Sequence, residues 1–354
     1  MAEIEKVMNI ALDDIEKLMN IGGDDIEKVN DLEYVTEVVW YGSRGLSIGG
    51  TINSSPYHTA IEYKAITSTG NTADFGDVDN YGTYGNLYDI ATGSNTSRGV
   101  FMGGYASNWS NNESAAAGER NYIHHITVGS LGNSTNAADL TLARKLCVGS
   151  TNGTTQLVAG GTAAGSNVVD YFTIASISNA SDFGDLYAAT TYMVGSINNA
   201  TRAVFGTGYT SGDATGTGRM DYFTIASTGD ASDFGDMNDG SISLGRSGNG
   251  GLESDTRGVF MGGRDVSATA ERDYIMYITV GSTGDATDFG NLIAASEGSG
   301  SACTSNGTKG EAYGYYDTGR NDSIQSITIA SAGNAADNGN LLDSTTQNGV
   351  LSGT

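Results

Sequence analysis

The sequence predicts an all-β chain, a six-bladed β-propeller of four-stranded blades behind a short N-terminal segment of helical repeats. Three observations predict it. A short apolar phrase recurs six times, as RGLSIGG (Arg44–Gly50), RGVFMGG (Arg98–Gly104), TQLVAGG (Thr155–Gly161), RAVFGTG (Arg202–Gly208), RGVFMGG (Arg257–Gly263) and KGEAYGY (Lys309–Tyr315). Its starts lie 47 to 57 residues apart, the length of a four-stranded blade rather than of a helical repeat. The composition agrees: 52 glycines and 1 proline describe many tight turns, almost none of them proline-locked.

Between these phrases runs a second module, clearest at Arg219–Met237 (RMDYFTIASTGDASDFGDM) and repeated at Val168–Leu186, Arg272–Leu292 and Ile61–Val78. Worn copies stand at Asn121–Leu140 and Ser323–Leu341. Arg257–Met261 reads as an inner strand ended by the turn Gly262-Gly263, and Tyr222–Ser227 as a strand by its aromatic and β-branched content. Thr228–Asp236 reads as turn chemistry, with Gly229 free to take positive φ and Asp230 and Asp233 able to accept nearby backbone amides. Apolar residues on both faces of the strands fit blades packed on both sides.

The chain ends suggest how the ring closes. Gln347–Thr354 resembles the segment before Arg202, so the chain stops after one strand of a new unit. That strand would pair with the incomplete first unit and leave no open edge. Glu37–Tyr41 is the competing source of the same strand.

Residues 1–33 differ from everything after them and form a separate module, leaving 34–354 to the propeller. Ile4, Ile15 and Ile26 are eleven residues apart, and Val7, Leu18 and Val29 keep the same step. This period suits short helices with aspartate N-caps, separated by Asn-Ile-Gly turns. So small a segment cannot bury its Ile and Val faces alone, which marks Ile4, Val7, Ile15, Leu18, Ile26 and Val29 as an assembly interface. A plain N-terminal cap is the other reading.

Charge excludes some classes of partner. With 17 basic against 41 acidic residues the net charge is -24, which disfavours nucleic acid and anionic membrane surfaces. The acidic N-terminus lacks a continuous apolar segment, so no signal peptide is expected, and no run is long enough to span a bilayer. Cys147 and Cys303 fall in units three copies apart and are expected as buried, unpaired thiols. Among histidines, His58 is isolated, and adjacent His124 and His125 on a strand would point to opposite faces. No nucleophile elbow or phosphate-binding glycine loop occurs. The acidic sets Asn179/Asp182/Asp185, Asp230/Asp233/Asp236, Asp285/Asp288/Asn291 and Asn334/Asp337/Asn340 have the oxygens to hold Ca²⁺. Their recurrence in every copy favours loop bracing, so no cofactor is expected.

The phrases Arg257–Gly263, Tyr274–Ser282 and Gly284–Leu292 resemble kelch-type propeller repeats, in the form found in virion proteins of marine tailed phages. Leu140-Thr141-Leu142-Ala143-Arg144 is similar to the kelch segment leading into the next blade, and the Ile-Glu-Lys-Val-Met-Asn-Ile repeats to short repeats of such phage proteins. The resemblance spans nearly the whole chain and departs from the pattern in unit six, at Asn338 and at Lys309–Tyr315. It implies a non-catalytic virion protein, a tail fibre, tail-tip or head appendage, assembled in the host cytoplasm. The N-terminal segment would bind other virion proteins or further copies of itself. The propeller would face a host-surface glycan or receptor, with Tyr105, Trp109, Tyr313, Tyr315 and Tyr316 as stacking surfaces. Two alternatives stand beside it: a sialidase-like glycan-cleaving enzyme and a kelch-like interaction scaffold. Against the enzyme, Arg44, Arg98, Arg202 and Arg257 recur at one equivalent position instead of clustering, and Ser232-Asp233-Phe234-Gly235 lacks a residue of the sialidase turn.

Overall fold

In the computed structural model the chain divides into two compact units, Met1–Val38 and Val39–Thr354. The residues described are 6–7, 10–11, 28–29 and 32–33 of the small unit. In the large unit they are 41–52, 59–78, 87–106, 118–162, 165–206, 208–210, 218–238, 250–264, 271–296, 302–316 and 319–353.

The small unit corrects the helical expectation. Lys6–Val7 pairs antiparallel with Ile10–Ala11, and Lys28–Val29 with Leu32–Glu33. Each pair is joined by two residues, Met8-Asn9 or Asn30-Asp31, that include an asparagine. Asparagine favours tight turns and is poor inside a helix, and the flanking Val and Ile prefer extended backbone. The two described hairpins start 22 residues apart, twice the eleven-residue period. Val7 and Val29 lie in these strands, whereas Ile4, Ile15, Leu18 and Ile26 fall outside the described residues.

The large unit is β-propeller-like: among the described residues six antiparallel sheets share one four-strand plan, two of them extended by a short fifth strand (Tyr209–Thr210 on the third, Thr51–Ile52 on the sixth), beside a small three-stranded sheet. Sheet I runs Gly349–Gly353, Arg44–Ile48, Ala60–Ala65, Ala73–Asp77, and sheet II Ala91–Ser94, Arg98–Met102, Tyr122–Thr127, Thr135–Asp139. Sheet III runs Val148–Thr151, Thr155–Ala159, Ser166–Thr173, Ser181–Thr191, and sheet IV Gly195–Asn198, Arg202–Gly206, Arg219–Thr224, Ser232–Asp236. Sheet V runs Gly250–Glu253, Arg257–Arg264, Glu271–Thr279, Thr287–Ser296, and sheet VI Cys303–Ser305, Lys309–Tyr316, Arg320–Thr328, Ala336–Thr346. The first strands neighbour one another in the circuit I-II-III-IV-V-VI and back to I.

The recurring apolar phrase is thus the second strand of every sheet. The first strand of sheet I comes from the other end of the chain: Gly349↔Ile48 through Gly353↔Arg44 are paired. The C-terminus, not Glu37–Tyr41, supplies the sealing strand.

An apolar cluster fills each seam between neighbouring sheets. Phe75 of sheet I packs with Phe101 and Ile126 of sheet II, and Phe234 of sheet IV with Phe260 and Met276 of sheet V. Burying one such phenylalanine is worth about 2–3 kcal/mol. The seam between sheets VI and I holds the smallest cluster, Ala302, Tyr313, Ile324, Leu341 and Val350.

The Asp-Phe-Gly-Asp motif is a strand, which corrects its reading as part of a turn. Ser232–Asp236 pairs with Arg219–Thr224, with a register shift between Met220 and Asp221. Its phenylalanine is buried in the seam, which fixes the segment as strand. Tyr222–Ser227 is shorter as a strand than its composition suggests. The third strand ends at Thr224, where Ile225 turns its N–H to Thr201 O of its own sheet at 2.9 Å.

Candidate functional site

The antiparallel plan sends the second-to-third connections, and those from one sheet to the next, out on one face. Of the predicted stacking residues, Tyr105 follows the second strand of sheet II, whereas Tyr313, Tyr315 and Tyr316 lie within the second strand of sheet VI. Tyr105 is half-buried in a small three-stranded sheet with Leu87–Tyr88 and Gly118–Glu119, its ring 5.4 Å from that of Tyr88 and under the Lys145 ammonium at 4.5 Å. Trp109 lies outside the described residues. Tyr316 is exposed, but Tyr315 is 8% and Tyr313 0% exposed. Tyr313 donates its hydroxyl to Glu311 Oε2 at 2.7 Å, so it is a core residue and cannot stack on a ligand at the surface.

The reason lies in the departure noted at unit six. Asn338 stands where sheets I, III, IV and V bury Phe75, Phe183, Phe234 and Phe289, and it bonds Glu311. Glu311 also binds Lys64 Nζ of sheet I at 3.1 Å and Lys309 Nζ at 3.3 Å. This polar cluster replaces apolar filling at the seam where the chain ends meet. Burial drives the Lys64 pKa down, partly offset by the Glu311 carboxylate, and drives the Tyr313 hydroxyl well up.

The recurring arginines reach across seams. Arg44 Nη1 donates to Val128 O at 2.6 Å, Arg98 to Ile174 O at 2.8 Å, Arg202 to Val280 O at 3.0 Å and Arg257 to Ile329 O at 3.0 Å. Three also lie over the tyrosine of their own third strand, Tyr63, Tyr222 and Tyr277, at 4.4 to 4.8 Å. These guanidiniums are structural ties.

The acidic turns form a belt. Asp230 Oδ1 accepts the N–H of Asp185 at 3.1 Å, Asp285 that of Asp236 at 2.9 Å and Asn334 that of Asn291 at 3.0 Å. Asn71, Asn133 and Asn179 do the same for Asn340, Asp77 and Asp139. Each turn therefore braces the preceding sheet, not its own loop, and the six bonds complete a circuit. Among the described residues no group of three His, Cys, Asp or Glu side chains converges as a metal set.

A second cross-seam contact uses one position of the third strand. Glu62 accepts Leu342 N–H at 2.9 Å, Asp170 that of Thr141 at 3.1 Å, Asp221 that of Tyr187 at 3.0 Å and Gln325 that of Ile293 at 2.7 Å. His124 occupies this position in sheet II, buried and stacked on Phe101 with centroids 5.0 Å apart. His125 faces the other side, half-buried, its pKa lowered by burial and by Arg98. His58 lies outside the described residues. Asp170 is in turn paired at 2.8 Å with Arg144, which is fully buried and donates to Val158, Gly160 and Val168 carbonyls. Cys147 and Cys303 are free and buried, which pushes the Cys147 thiol to about 11 and that of Cys303 higher still.

All six first strands line one cavity of about 70 Å³, together with Tyr41. Glycines and hydroxyls make up most of its wall, and Thr92, Ser94, Ser196 and Ser305 each donate to a carbonyl of the neighbouring first strand. Among the described residues Glu253 is the one carboxylate of the lining, which includes no arginine or histidine. Thr92-Gly93-Ser94 and Gly149-Ser150-Thr151 carried this signal in the sequence as small polar residues between the recurring phrases.

No protein-family model matches the chain, and no curated protein matches it. A solved structure titled "Structure of YjhT" superposes with a TM-score of 0.58 at 11% identity, covering 86% of this chain and 99% of that one. This likeness supports the β-propeller fold and speaks to the fold alone. No helix among the described residues is long and apolar enough to cross a membrane.

Proposed function

We propose that the large unit is a six-bladed propeller serving as a non-catalytic attachment component of a phage virion, a tail fibre, tail-tip or head appendage. The observation that carries this reading is where the recurring charged residues go. Arginines, turn aspartates and third-strand carboxylates are engaged in holding sheet to sheet, and among the described residues the cavity on the axis has a single carboxylate. Retaining and inverting glycosidases generally need a carboxyl pair. The repeated phrases and their resemblance to virion repeats supply the biological context.

In this reading the N-terminal hairpin repeats, with Val7 and Val29 among their apolar positions, attach the protein to other virion proteins or to further copies of the chain. The loop face, with Tyr105 and Tyr316, meets a host-surface glycan or receptor. The test compares the full chain with one lacking Met1–Asp31, by light scattering and by co-sedimentation with phage particles. Attachment or oligomerisation of the full chain alone supports the reading. Identical behaviour, or turnover of a sialylated glycan by either protein, rejects it.

A further inference from the structure

Two buried carboxyl groups of the large unit have no ion pair among the described residues, and both hold the last stretch of the chain. Asp89 is 1% exposed and accepts the Gln347 side-chain amide at 3.0 Å. Its backbone N–H bonds Gln347 O at 3.0 Å and its carbonyl accepts Leu146 N–H at 3.0 Å, so it joins the C-terminal stretch to the strands entering sheets II and III. Glu62 is 2% exposed and accepts the Thr72 hydroxyl at 2.6 Å and the Leu342 N–H at 2.9 Å. Gln347 and Leu342 flank the end of the last long strand, just before Gly349–Gly353 seals sheet I.

By contrast, the other buried acids Asp170, Asp221 and Glu311 each have a basic partner within 4.0 Å, namely Arg144, Arg219 and Lys64. The charge around Asp89 comes from Lys145, whose ammonium sits on the Tyr105 ring, with Tyr88, Tyr105 and the Cys147 thiol as its titratable neighbours. Facing Glu62 are Asp74 and Asp343, both acidic. An ionised Glu62 would be buried among acidic neighbours, and an ionised Asp89 would be buried with the Lys145 charge nearby but with no direct ion pair among the described residues, costly arrangements that a proton relieves.

We infer that the closure of the ring is a proton-operated latch: protonated Asp89 and Glu62 hold the C-terminal stretch in place, and their ionisation loosens the sealing strand. Burial raises the Asp89 pKa from 3.8 to about 7, against the opposing pull of Lys145 and the Gln347 amide, and it raises that of Glu62. A folded-state pKa above the unfolded one adds stability that is complete below the unfolded value. That stability is lost as pH rises through the folded value. For Asp89 the window therefore runs from about pH 4 to about pH 7.

The test is urea unfolding of the full chain, from pH 5 to pH 8.5, for the wild type, Asp89→Asn and Glu62→Gln. Asparagine and glutamine copy the neutral carboxyl, and asparagine tolerates the left-handed φ of 57° at this position. The wild type is expected to lose folding equilibrium constant with rising pH, by up to about tenfold per unit between pH 5 and 7. Asp89→Asn is expected to flatten that slope and to exceed the wild type at pH 8. Hydrogen exchange at Gly349–Gly353, corrected for its intrinsic pH dependence, is expected to quicken with pH in the wild type and not in Asp89→Asn. Parallel pH profiles for all three proteins, an Asp89→Asn protein that is less stable at pH 8 or fails to fold, or a seal whose exchange ignores pH would each overturn the latch.

Discussion

Replacing Gly235 by alanine should be among the most damaging single-methyl changes in the protein, and the reason can be separated into two parts. Gly235 has φ of +140°, a region an L-residue enters at a cost of about 1–3 kcal/mol. A Cβ there would also overlap the Gly284 carbonyl oxygen of the neighbouring sheet. The collision sits inside the belt, where Gly284 N–H bonds Phe234 O at 2.7 Å, Ala286 N–H bonds Asp236 O at 2.8 Å, and Asp285 accepts Asp236 N–H at 2.9 Å. Pushing the sheets apart loses one or two of these at about 1 kcal/mol each, for a total of roughly 2–5 kcal/mol. Gly229 is the control: its φ is +151° and nothing lies within 4 Å of an added Cβ, so Gly229→Ala bears the backbone strain alone. Urea denaturation of both variants should place Gly235→Ala about 2 kcal/mol below Gly229→Ala. Equal losses would refute the claim that close approach of neighbouring sheets is what requires glycine in Asp-Phe-Gly-Asp. Sheet II shows a natural solution, with Ala138 at this position and Ser178 in the opposing loop behind the 3₁₀ turn Ile174–Ser176.

Arg144→Met should cost about 3–5 kcal/mol, because Asp170 would stay buried without its cation, and adding Asp170→Asn should recover part of the loss in the same melts. Tyr313→Phe should cost about 1–3 kcal/mol by removing a donor from buried Glu311, with no change in oligomeric state by light scattering. EDTA or added Ca²⁺ should leave the melting temperature unchanged, since the turn oxygens of Asp230 and Asp285 already accept amides; a rise with Ca²⁺ would reassign the belt.

The second strands were legible because a short apolar phrase such as Arg-Gly-Val-Phe-Met recurs six times, but their ends were not: the strand Arg257–Arg264 runs through Gly262-Gly263, which reads in the sequence as its closing turn. The sealing strand was legible because the last residues copy the text that precedes Arg202. The belt was not, since Asp230 and Asp285 look like turn residues bonding locally while their acceptor role is toward a sheet some 45 residues earlier. Tyr313 looked like a surface tyrosine because its partner Glu311 and the substitution at Asn338 matter only once sheets VI and I face each other. The N-terminal repeats misled because an eleven-residue period fits helices and hairpins equally, and two-residue asparagine connections decide between them. Asp89 gave no sequence signal, as its burial depends on Gln347 arriving from the far end of the chain.

The most direct test of closure is a chain ending at Gln347, without the strand Gly349–Gly353, followed by thermal unfolding and size-exclusion chromatography. The account predicts loss of the cooperative transition and aggregation through the bared edge of Arg44–Ile48. A monomer that melts like the full chain would contradict a ring sealed by its own C-terminus.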